Sequence, residues 1–445
     1  MEQLFEIRRR LTSFQIILSG FAGVILIGTL LLMLPLSSAD GRAAPFGDAL
    51  FTATSAVCVT GLVVRDTASS WTGFGQAVIL CLIQIGGMGV ITVAVVITLA
   101  SGRNLSLKQR STLQEAIAAP QVGGIARLAG FILRVTLAVE LLGTVMMAPV
   151  FCRDYGMKGS WLAFFHSVSA FCNAGFDLLG TAGKPFVSLT GYGAEPVVNG
   201  VVMALIITGG IGFLTWDDIR VNGRHLKRYR MQSKVILSMT GILILAPFLY
   251  FYLWVWAGMT GWERVLVSLF QAVTPRTAGF NTADLAAFSG AGQAVVIVLM
   301  LIGGSPGSTA GGMKTTTLAV LCSSAVSVFR RRDEARLFRR RLETGVLQSA
   351  SALLMMYVTL FLVGGLVISM AEQLPMSVCL FEAASAIGTV GLTLGITPQL
   401  GIVSRGVLIA LMFCGRVGGL TILYAASPGK SQCTAKLPQE KIMVG

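Results

Sequence analysis

Charged residues are scarce in this sequence. They make up 12% of its 445 residues, about half of the share that soluble domains usually carry. Hydrophobic residues make up 54%, and the basic residues lie in short clusters between long apolar runs. A nucleic-acid-binding protein would show dense Lys and Arg on one solvated face. The composition therefore excludes a typical soluble enzyme or nucleic-acid binder and indicates a protein that crosses a membrane several times.

Metal-binding and redox motifs are lacking as well. The only histidines are His166 and His225, and the eight cysteines include no C-x-x-C pair. Most of these cysteines lie in apolar runs, where a free cysteine behaves as a small hydrophobic residue. An intramembrane enzyme would need a nucleophile with a base, or metal ligands, at membrane depth. Because no such set is apparent, we predict no enzymatic activity and no organic cofactor.

Long apolar segments alternate with shorter, semi-apolar ones. The long segments lie near 14–34, 76–101, 127–151, 195–216, 234–260, 292–325, 346–371 and 403–426. Each is long enough for a membrane-spanning helix. The short segments have about ten helix-compatible residues each, which is too few to span the hydrocarbon, so each predicts a re-entrant half-helix. The fold class predicted is an all-α polytopic membrane protein with eight transmembrane helices.

The four short segments repeat one motif. Each ends on a glycine that precedes Leu or Phe, and these glycines are Gly61, Gly175, Gly279 and Gly391. Six residues upstream of them stand Ser55, Ser169, Val273 and Ser385, so that only the third breaks the serine pattern. Self-similarity at a regular period divides the chain into four units, 1–102, 103–217, 218–328 and 329–445. Each unit is predicted to contain a span, a half-helix with a glycine turn, and a second span.

Lys and Arg are distributed unevenly around these units. The segments before the first span, between the second span of one unit and the first span of the next, and after the last span hold 23 of them, whereas the segments between the two spans of a unit hold 8. Cytoplasmic loops carry the excess of basic residues, which places both termini in the cytoplasm and lets the half-helices enter from outside. Two spans per unit give all four units the same orientation, unlike inverted-repeat transporters. Four like-oriented units predict a pore on an axis normal to the membrane.

The glycine turns are the candidate cation site. Irregular backbone at membrane depth must be buried in protein or line a wet cavity, and backbone carbonyls can replace the hydration shell of a cation. None of the side chains in these turns is ionisable. The candidate filter residues are Val59, Thr60, Gly61, Asn173, Ala174, Gly175, Thr277, Ala278, Gly279, Thr389, Val390 and Gly391. The alternative is that the four glycines only pack at helix kinks.

The second spans carry a further glycine motif and two exceptions to it. In unit four, Arg416 replaces the second glycine of the pair found in units one and two, which predicts a positive charge below the filter; the alternative is a structural arginine. In unit three, five glycines and a proline over 303–312 cannot hold a regular helix. This break predicts a mobile gate, and a static kink is the alternative. The gating candidates are Arg416, Gly303, Gly304, Ser305, Pro306, Gly307, Ser308, Thr309, Ala310, Gly311, Gly312 and Lys314.

Several motifs resemble the Trk/Ktr/HKT superfamily of potassium transporters, and within it the KtrB membrane subunits. They are SAVCVTGLVVRDT (55–67), FHSVSAFCNAGFD (165–177), FQAVTPRTAGFNTAD (270–284), GGSPGSTAGGMKTT (303–316) and SAIGTVGLTLGITP (385–398). The resemblance covers about residues 14–426. It implies potassium uptake across the bacterial plasma membrane, and glycine at all four filter positions implies potassium rather than sodium.

The same resemblance implies partners and a gate. Residues 303–316 would form an intramembrane gating loop, and the C-terminal tail would pack at the interface of a homodimer. A cytosolic, KtrA-like nucleotide-binding ring would dock on the Arg-rich segment 329–341, which also attracts anionic membrane lipid. A sodium-conducting or poorly selective cation channel of the same architecture is the alternative function, and stimulation by sodium is left open.

Overall fold

The computed structural model describes residues 12–101, 106–117, 124–332, 334–419 and 421. The predictions that concern the basic residues 8–10 and the C-terminal segment 430–445 lie outside the described residues. The described chain is mostly helical, and three kinds of helix follow one another in the same order four times. We call them first, short and second helices.

The first helices are the long ones. They are Ser13–Leu32, Ile125–Tyr155, Met231–Tyr250 and Thr344–Glu372, and the third continues as a π-helix over Phe251–Val255. Within the described residues, four helices are long and apolar enough to cross a membrane, or up to six if each bent pair described below is one span. This supports a polytopic membrane protein, whereas the number of eight spans stays a prediction.

The short helices lie within the segments for which the sequence predicts half-helices. They are Phe46–Val57, Lys158–Phe171, Gly261–Val273 and Met376–Ile387. Pro45 and Pro375 directly precede the first and the fourth, where a fixed φ suits the start of a helix and the missing N–H costs nothing. Phe51, Phe165 and Phe381 are fully buried on these helices, so the core of the molecule surrounds them.

The second helices end where the sequence repeats its glycines. They are Gly73–Met88, Pro196–Gly210, Gly290–Leu301 and Ile402–Val417. The segments 76–101 and 195–216, each predicted as a span, are bent by 94° and 96° in the structure, so each of them consists of two helices. The bends follow from Gly89 and Gly212, whose φ angles of 86° and 89° are open to glycine and strained for other residues. After the bends, the chain continues as Val90–Ala100 and Phe213–Asn222.

The second helix of unit three is interrupted over a longer stretch, as the sequence predicts. Gly290–Leu301 ends, and the helix resumes only at Thr315–Phe329. A parallel bridge between Ile302 and Met313 holds the two ends of the break together. We call residues 303–314, which lead to this second part of the helix, the unit-three loop.

The remaining elements are small and lie outside the repeated pattern. They are the α-helices Thr67–Ser70 and Leu107–Ala116, the 3-10 helices Thr190–Tyr192, Leu226–Arg228 and Thr397–Gln399, and the antiparallel strands Arg336–Leu337 and Arg340–Arg341. Large apolar side chains on the outer faces of the first helices are exposed, among them Leu142, Ile242 and Val363. Such faces suit lipid rather than water.

Candidate functional site

The four repeated glycines share an unusual backbone conformation. The φ angles of Gly61, Gly175, Gly279 and Gly391 are 91°, 68°, 78° and 92°. We call these residues the ring glycines. Positive φ is accessible to glycine without a steric penalty, whereas a Cβ would strain the backbone. The sequence repeat therefore reflects a shared requirement of the backbone at four places.

The ring glycines lie against one another in the order of the chain. A Cβ built on Gly61 would lie 2.5 Å from the carbonyl oxygen of Ala174, and one built on Gly175 would lie 2.8 Å from that of Ala278. Each glycine thus packs against the turn of the following unit. No ordinary Cβ contact is that short, so a side chain at either position would push the neighbouring turn away.

The same contacts continue through units three and four and close the ring. A Cβ on Gly279 would overlap the carbonyl oxygen of Val390, and one on Gly391 would overlap that of Thr60, which belongs to unit one. The sequence predicts that the four turns meet on one axis, and the structure brings all four together. The four turns that contain the twelve candidate filter residues therefore pack against one another in a closed ring.

A second position in each turn also has positive φ. It lies two residues before the ring glycine, at Val59, Asn173, Thr277 and Thr389, with φ angles of 50°, 57°, 68° and 51°. The residue between the two positions keeps negative φ in every unit. When φ alternates in sign, successive carbonyl groups point to the same side of the chain. In an ordinary β-strand, successive carbonyl groups point to opposite sides. Non-glycine residues in the left-handed region cost about 1–3 kcal/mol each, and here the strain recurs four times.

Serine side chains support the turns. In unit one, the amide of Gly61 donates to Ser55 Oγ over 3.1 Å. In unit four, the amide of Gly391 donates to Ser385 Oγ over 3.0 Å. Ser169 Oγ in unit two instead donates to the carbonyl oxygen of Phe176, over 2.8 Å. The repeated serines therefore fix the backbone on either side of the ring glycines.

Unit three achieves the same support with a different residue. Val273 occupies the serine position, and the hydroxyl of the next residue, Thr274, donates to the carbonyl oxygen of Phe280 over 2.5 Å. This bond corresponds to the one between Ser169 and Phe176. Sequence comparison missed Thr274 because the supporting hydroxyl is displaced by one residue.

A cavity of about 230 Å³ opens on one side of the ring and is lined by all four ring glycines. Three carboxylates, those of Asp66, Asp177 and Asp284, line it as well. Burial raises the pKa of Asp177 to about 6, and the negative charge of Asp66 contributes in the same direction. The mouth of the ring is therefore acidic, although the ring itself holds no ionisable side chain.

A buried glutamate that the sequence analysis missed supports the mouth in unit four. Glu382 lies on the short helix and is fully buried. Its Oε2 accepts from the hydroxyl of Thr397 over 2.9 Å, and its Oε1 accepts from the amide of Leu394 over 3.3 Å and from the hydroxyl of Thr393. A lone acid in an otherwise apolar short helix was the available signal.

The unit-three loop lies on the other side of the ring and is bonded to units two and four. The amide of Ser305 donates to the carbonyl of Gly210 over 3.0 Å, and the amide of Phe213 donates to that of Gly307 over 2.7 Å. The amide of Gly312 donates to the carbonyl of Gly415 over 3.2 Å. The loop is therefore fixed at the bend of unit two and near the end of the second helix of unit four, although its glycines give it little intrinsic structure.

Two residues of the loop contact the turns directly. Thr309 Oγ1 donates to the carbonyl of Phe171 over 3.0 Å and accepts from Asn173 Nδ2 over 3.3 Å. A Cβ built on Gly311 would overlap the side chain of Thr389. The loop thus covers the inner ends of the second and fourth turns.

Arg416 bridges three units at this level. Its Nη2 donates to the carbonyl of Gly87 over 3.0 Å and to that of Gly86, and its Nη1 donates to the carbonyl of Thr309. Lys314 Nζ donates to the carbonyl of Ala310 over 2.8 Å. Within the described residues, neither cation forms a salt bridge. Carbonyl dipoles at the end of the helix Gly73–Met88 face the guanidinium instead.

Three polar residues that the sequence left without a role are placed as follows. Glu140 is buried on a first helix, where Gln84 Nε2 donates to it over 3.3 Å and Cys172 Sγ lies 3.8 Å away. His166 is buried beside Leu162, with Nδ1 at 2.7 Å from the carbonyl oxygen. Arg134 is exposed. No group of three or more His, Cys, Asp or Glu residues that could hold a metal ion occurs among the described residues.

Comparison with known proteins yields one family. The model of the family TrkH, cation transport protein, matches residues 5–434. The chain is 39% identical to the potassium/sodium uptake protein NtpJ of Enterococcus hirae, over 99% of both chains. It is 36% identical to the Ktr system potassium uptake protein B of Bacillus subtilis, over 98% of this chain and 97% of the relative.

The fold also matches a solved structure. The crystal structure of the potassium transporter TrkH from Vibrio parahaemolyticus aligns with a TM-score of 0.72 at 23% identity, and the alignment covers 92% of this chain and 85% of that one. This chain is therefore a multi-pass membrane protein of the TrkH family, a family of cation transporters and not of enzymes.

Proposed function

We propose that this protein takes up potassium ions through the ring formed by the four glycine turns. One observation carries the proposal: the ring glycines contact one another in cyclic order and close on themselves. A closed ring of backbone at the centre of a membrane protein offers a path lined by peptide groups. The names of the relatives from Enterococcus hirae and Bacillus subtilis, both potassium uptake proteins, support potassium as the cargo.

Selectivity rests on carbonyl oxygens in this proposal. The twelve filter residues carry no ionisable side chain, and the alternating φ angles favour carbonyl groups aimed at the axis. Such oxygens replace the hydration shell of a cation. The acidic mouth with Asp66, Asp177 and Asp284 would raise the local cation concentration without binding one tightly.

The unit-three loop and Arg416 form the gate in this proposal. The loop lies directly below two of the four turns, and Arg416 adds a positive charge that repels a cation at the same level. The hydrogen bonds of the loop run to the bend of unit two and to the second helix of unit four near its end, so a shift of these units would release the loop.

Assembly and regulation complete the proposal. The name of the Bacillus subtilis relative refers to a Ktr system, which supports a partner for the membrane subunit. We expect a homodimer with both termini in the cytosol of a bacterial cell, and a nucleotide-binding ring docked on the Arg-rich segment 329–341. The 23 basic residues in the segments before, between and after the pairs of spans support this orientation.

A poorly selective channel for sodium and potassium is the second candidate. The printed name of the Enterococcus hirae relative includes sodium, and that observation favours it. Both candidate functions use the same ring, and they differ only in how strongly the ring discriminates against sodium. The experiment below separates them through the concentration of sodium that competes with potassium, and it also reveals any stimulation by sodium.

The test is uptake by a bacterium that lacks its own potassium transporters, with flux in proteoliposomes as the direct measurement. We expect growth at low external potassium, and rubidium uptake that excess sodium inhibits weakly. In Gly61→Ser, a Cβ would meet the carbonyl of Ala174, so sodium should compete at least about tenfold better, a change of about 1.4 kcal/mol in discrimination.

Gly41→Ser is the matched control. Gly41 also has positive φ, at 67°, but nothing lies within 4 Å of a Cβ built on it. This variant carries the backbone strain without the contact to a neighbouring turn, and it should keep wild-type discrimination. If well-expressed serine variants of all four ring glycines discriminated as the wild type does, the ring would not be the selectivity filter.

A further inference from the structure

A cleft of about 310 Å³ lies away from the ring, beside the two short strands. Its walls come from the beginning of Met231–Tyr250, the end of Thr315–Phe329 and the hairpin formed by Arg336–Leu337 and Arg340–Arg341. The wall is mostly apolar and includes Val235, Met239, Ala319, Val326, Leu337 and Phe338. Its size is at the lower end of the range of ligand pockets.

The rim of the cleft is basic. Arg332 and Arg336 line it together with one acid, Glu334. Arg336 Nη2 lies 3.9 Å from Glu334, a distance at the limit of an ion pair. Arg332 forms no ion pair with any acid in the described part of the chain. The rim therefore offers two guanidinium groups, and the one on Arg336 is only weakly paired, which suits an anion such as a phosphate diester.

Exposed aromatic residues lie next to these arginines. Phe329 is 85% exposed, and Phe338 is 51% exposed. Aromatic side chains beside Arg are typical of the level where a protein leaves the hydrocarbon and meets lipid headgroups. The cleft also opens on the sides of its two helices, since Ser238 and Cys322 line it and are exposed. Its apolar wall therefore faces the acyl region, and its basic rim faces the headgroups.

We propose that this cleft binds one anionic phospholipid. The phosphate would lie on Arg332 and Arg336, and an acyl chain would cover the apolar wall. The cytosolic ring proposed above would dock on the other arginines of the segment 329–341, because a protein seated on this rim would leave an apolar wall at the side of the helices uncovered. The hairpin completes the site because Ser323 Oγ donates to the carbonyl of Arg336 over 3.0 Å and holds it against the helix.

The location links the lipid to the gate without contact to it. Thr315–Phe329, which forms one wall of the cleft, begins directly after the unit-three loop. A lipid bound at its far end would restrain the helix on which the loop ends. The site is separate from the ring, so binding can be measured without a flux assay.

Native mass spectrometry of the full-length protein, with added phosphatidylglycerol or phosphatidylethanolamine, tests the proposal. We expect phosphatidylglycerol to bind preferentially, and the double variant Arg332→Gln/Arg336→Gln to bind it about tenfold more weakly. Arg339→Gln/Arg340→Gln removes the same charge from the hairpin outside the cleft lining, and it should bind within about twofold of the wild type.

A second arm fills the cleft and keeps every arginine. Cys322→Trp places a large side chain at the exposed wall and should abolish lipid binding. Cys81→Trp, at another exposed cysteine on Gly73–Met88, should leave binding unchanged. In the wild type, phosphatidylglycerol should also slow alkylation of Cys322 relative to Cys81.

Three results would overturn the proposal. If both double arginine variants lost phosphatidylglycerol binding to the same extent, the lipid would be held by diffuse attraction to the basic surface and not at a specific site. Full binding by Cys322→Trp would show that the cleft is not occupied. Unchanged lipid binding by Arg332→Gln/Arg336→Gln, with loss of binding to a cytosolic protein, would assign the arginines to a protein interface.

Discussion

The layer of the four turns and the layer of the breaks beneath it are built from the same repeat but differ in symmetry. In the upper layer, every unit has positive φ at the ring glycine and again two residues before it. In the lower layer, units one and two bend at single glycines, whereas unit three is interrupted by the whole unit-three loop. Unit four places Arg416 where unit one has Gly87.

This difference indicates separate demands on the two layers. In the function proposed here, a cation on the axis would interact with all four turns at once, so each turn would have to present its backbone in the same way. A gate has no such demand, because one moving segment is enough to close a path. Asymmetry confined to the lower layer is therefore what a selective and gated pore requires.

The largest effect should come from removing the asymmetry in unit three. Deletion of residues 305–311 removes the part of the loop that contacts Asn173 and Phe171. The bridge between Ile302 and Met313 already holds the ends together, so the remaining chain can close. We expect flux without a cytosolic partner to rise by about tenfold or more, equivalent to about 1.4 kcal/mol in the barrier, while discrimination against sodium is unchanged.

Rubidium flux in proteoliposomes measures this effect. Thr309→Val is the milder companion, since it keeps the loop length and removes the hydroxyl that contacts the second turn. It should raise flux less than the deletion does. A folded deletion variant that conducts no better than the wild type would make the loop a passive kink.

The next effect should come from Arg416, the exception of unit four. Arg416→Gln removes a positive charge and the bridge from unit four to Gly87 and Thr309. We expect flux to rise by about threefold to tenfold, because a charge near the axis of a low-dielectric pore repels a cation. Loss of the variant protein from the membrane would instead assign Arg416 a structural role.

Lys314→Gln separates the effect of the positive charge from the effect of the hydrogen bonds that Arg416 forms between units. In the described structure, the side chain of Lys314 forms hydrogen bonds only within its own loop, to the carbonyls of Ala310 and Gly311. If repulsion alone sets the barrier, both variants should raise flux by similar factors. We expect a smaller rise for Lys314→Gln, because it leaves the bridge between the units in place.

A smaller effect should distinguish the supports of the upper layer. Thr274→Val removes the hydroxyl that bonds Phe280 and leaves a buried carbonyl without this donor, at a cost of about 1–3 kcal/mol. We expect weaker discrimination against sodium, measured as competition with rubidium uptake. Val273→Ala changes the position that sequence alignment pairs with serine, and discrimination should stay near that of the wild type. If Val273→Ala weakened discrimination against sodium more than Thr274→Val did, the supporting role would belong to Val273 and not to Thr274.

Sequence predicted the parts of both layers that depend on residue type. Four glycines at a regular period predict four turns, and a glycine-rich run with a proline predicts the break at 303–312. The sequence did not predict the sharp bends at Gly89 and Gly212, because the hydropathy of an apolar segment is the same for a straight helix and for a bent one.

Features that depend on hydrogen-bond partners stayed hidden. Alignment showed Val273 as an exception and could not show that Thr274 bonds the same backbone position. Glu382 likewise reads as an isolated acid until the chain brings Thr393 and Thr397 to it. The two partners in these hydrogen bonds are 6 to 15 residues apart in the sequence. The turn between the partners sets their relative geometry.

The smallest effect should come from the mouth, where the units differ again. Asp177 belongs to unit two, and among the described residues no acid of unit four lines the cavity. Burial raises its pKa to about 6, so the carboxylate is charged above that pH and neutral below it. The apparent affinity for potassium should therefore fall as the external pH drops through about 6, by roughly twofold for one partly screened charge. Potassium-dependent uptake at external pH 7.5 and 5.0 measures this change. Asp177→Asn should bind potassium at pH 7.5 as the wild type does at pH 5.0, and a wild-type pH response in that variant would assign the titration to another group.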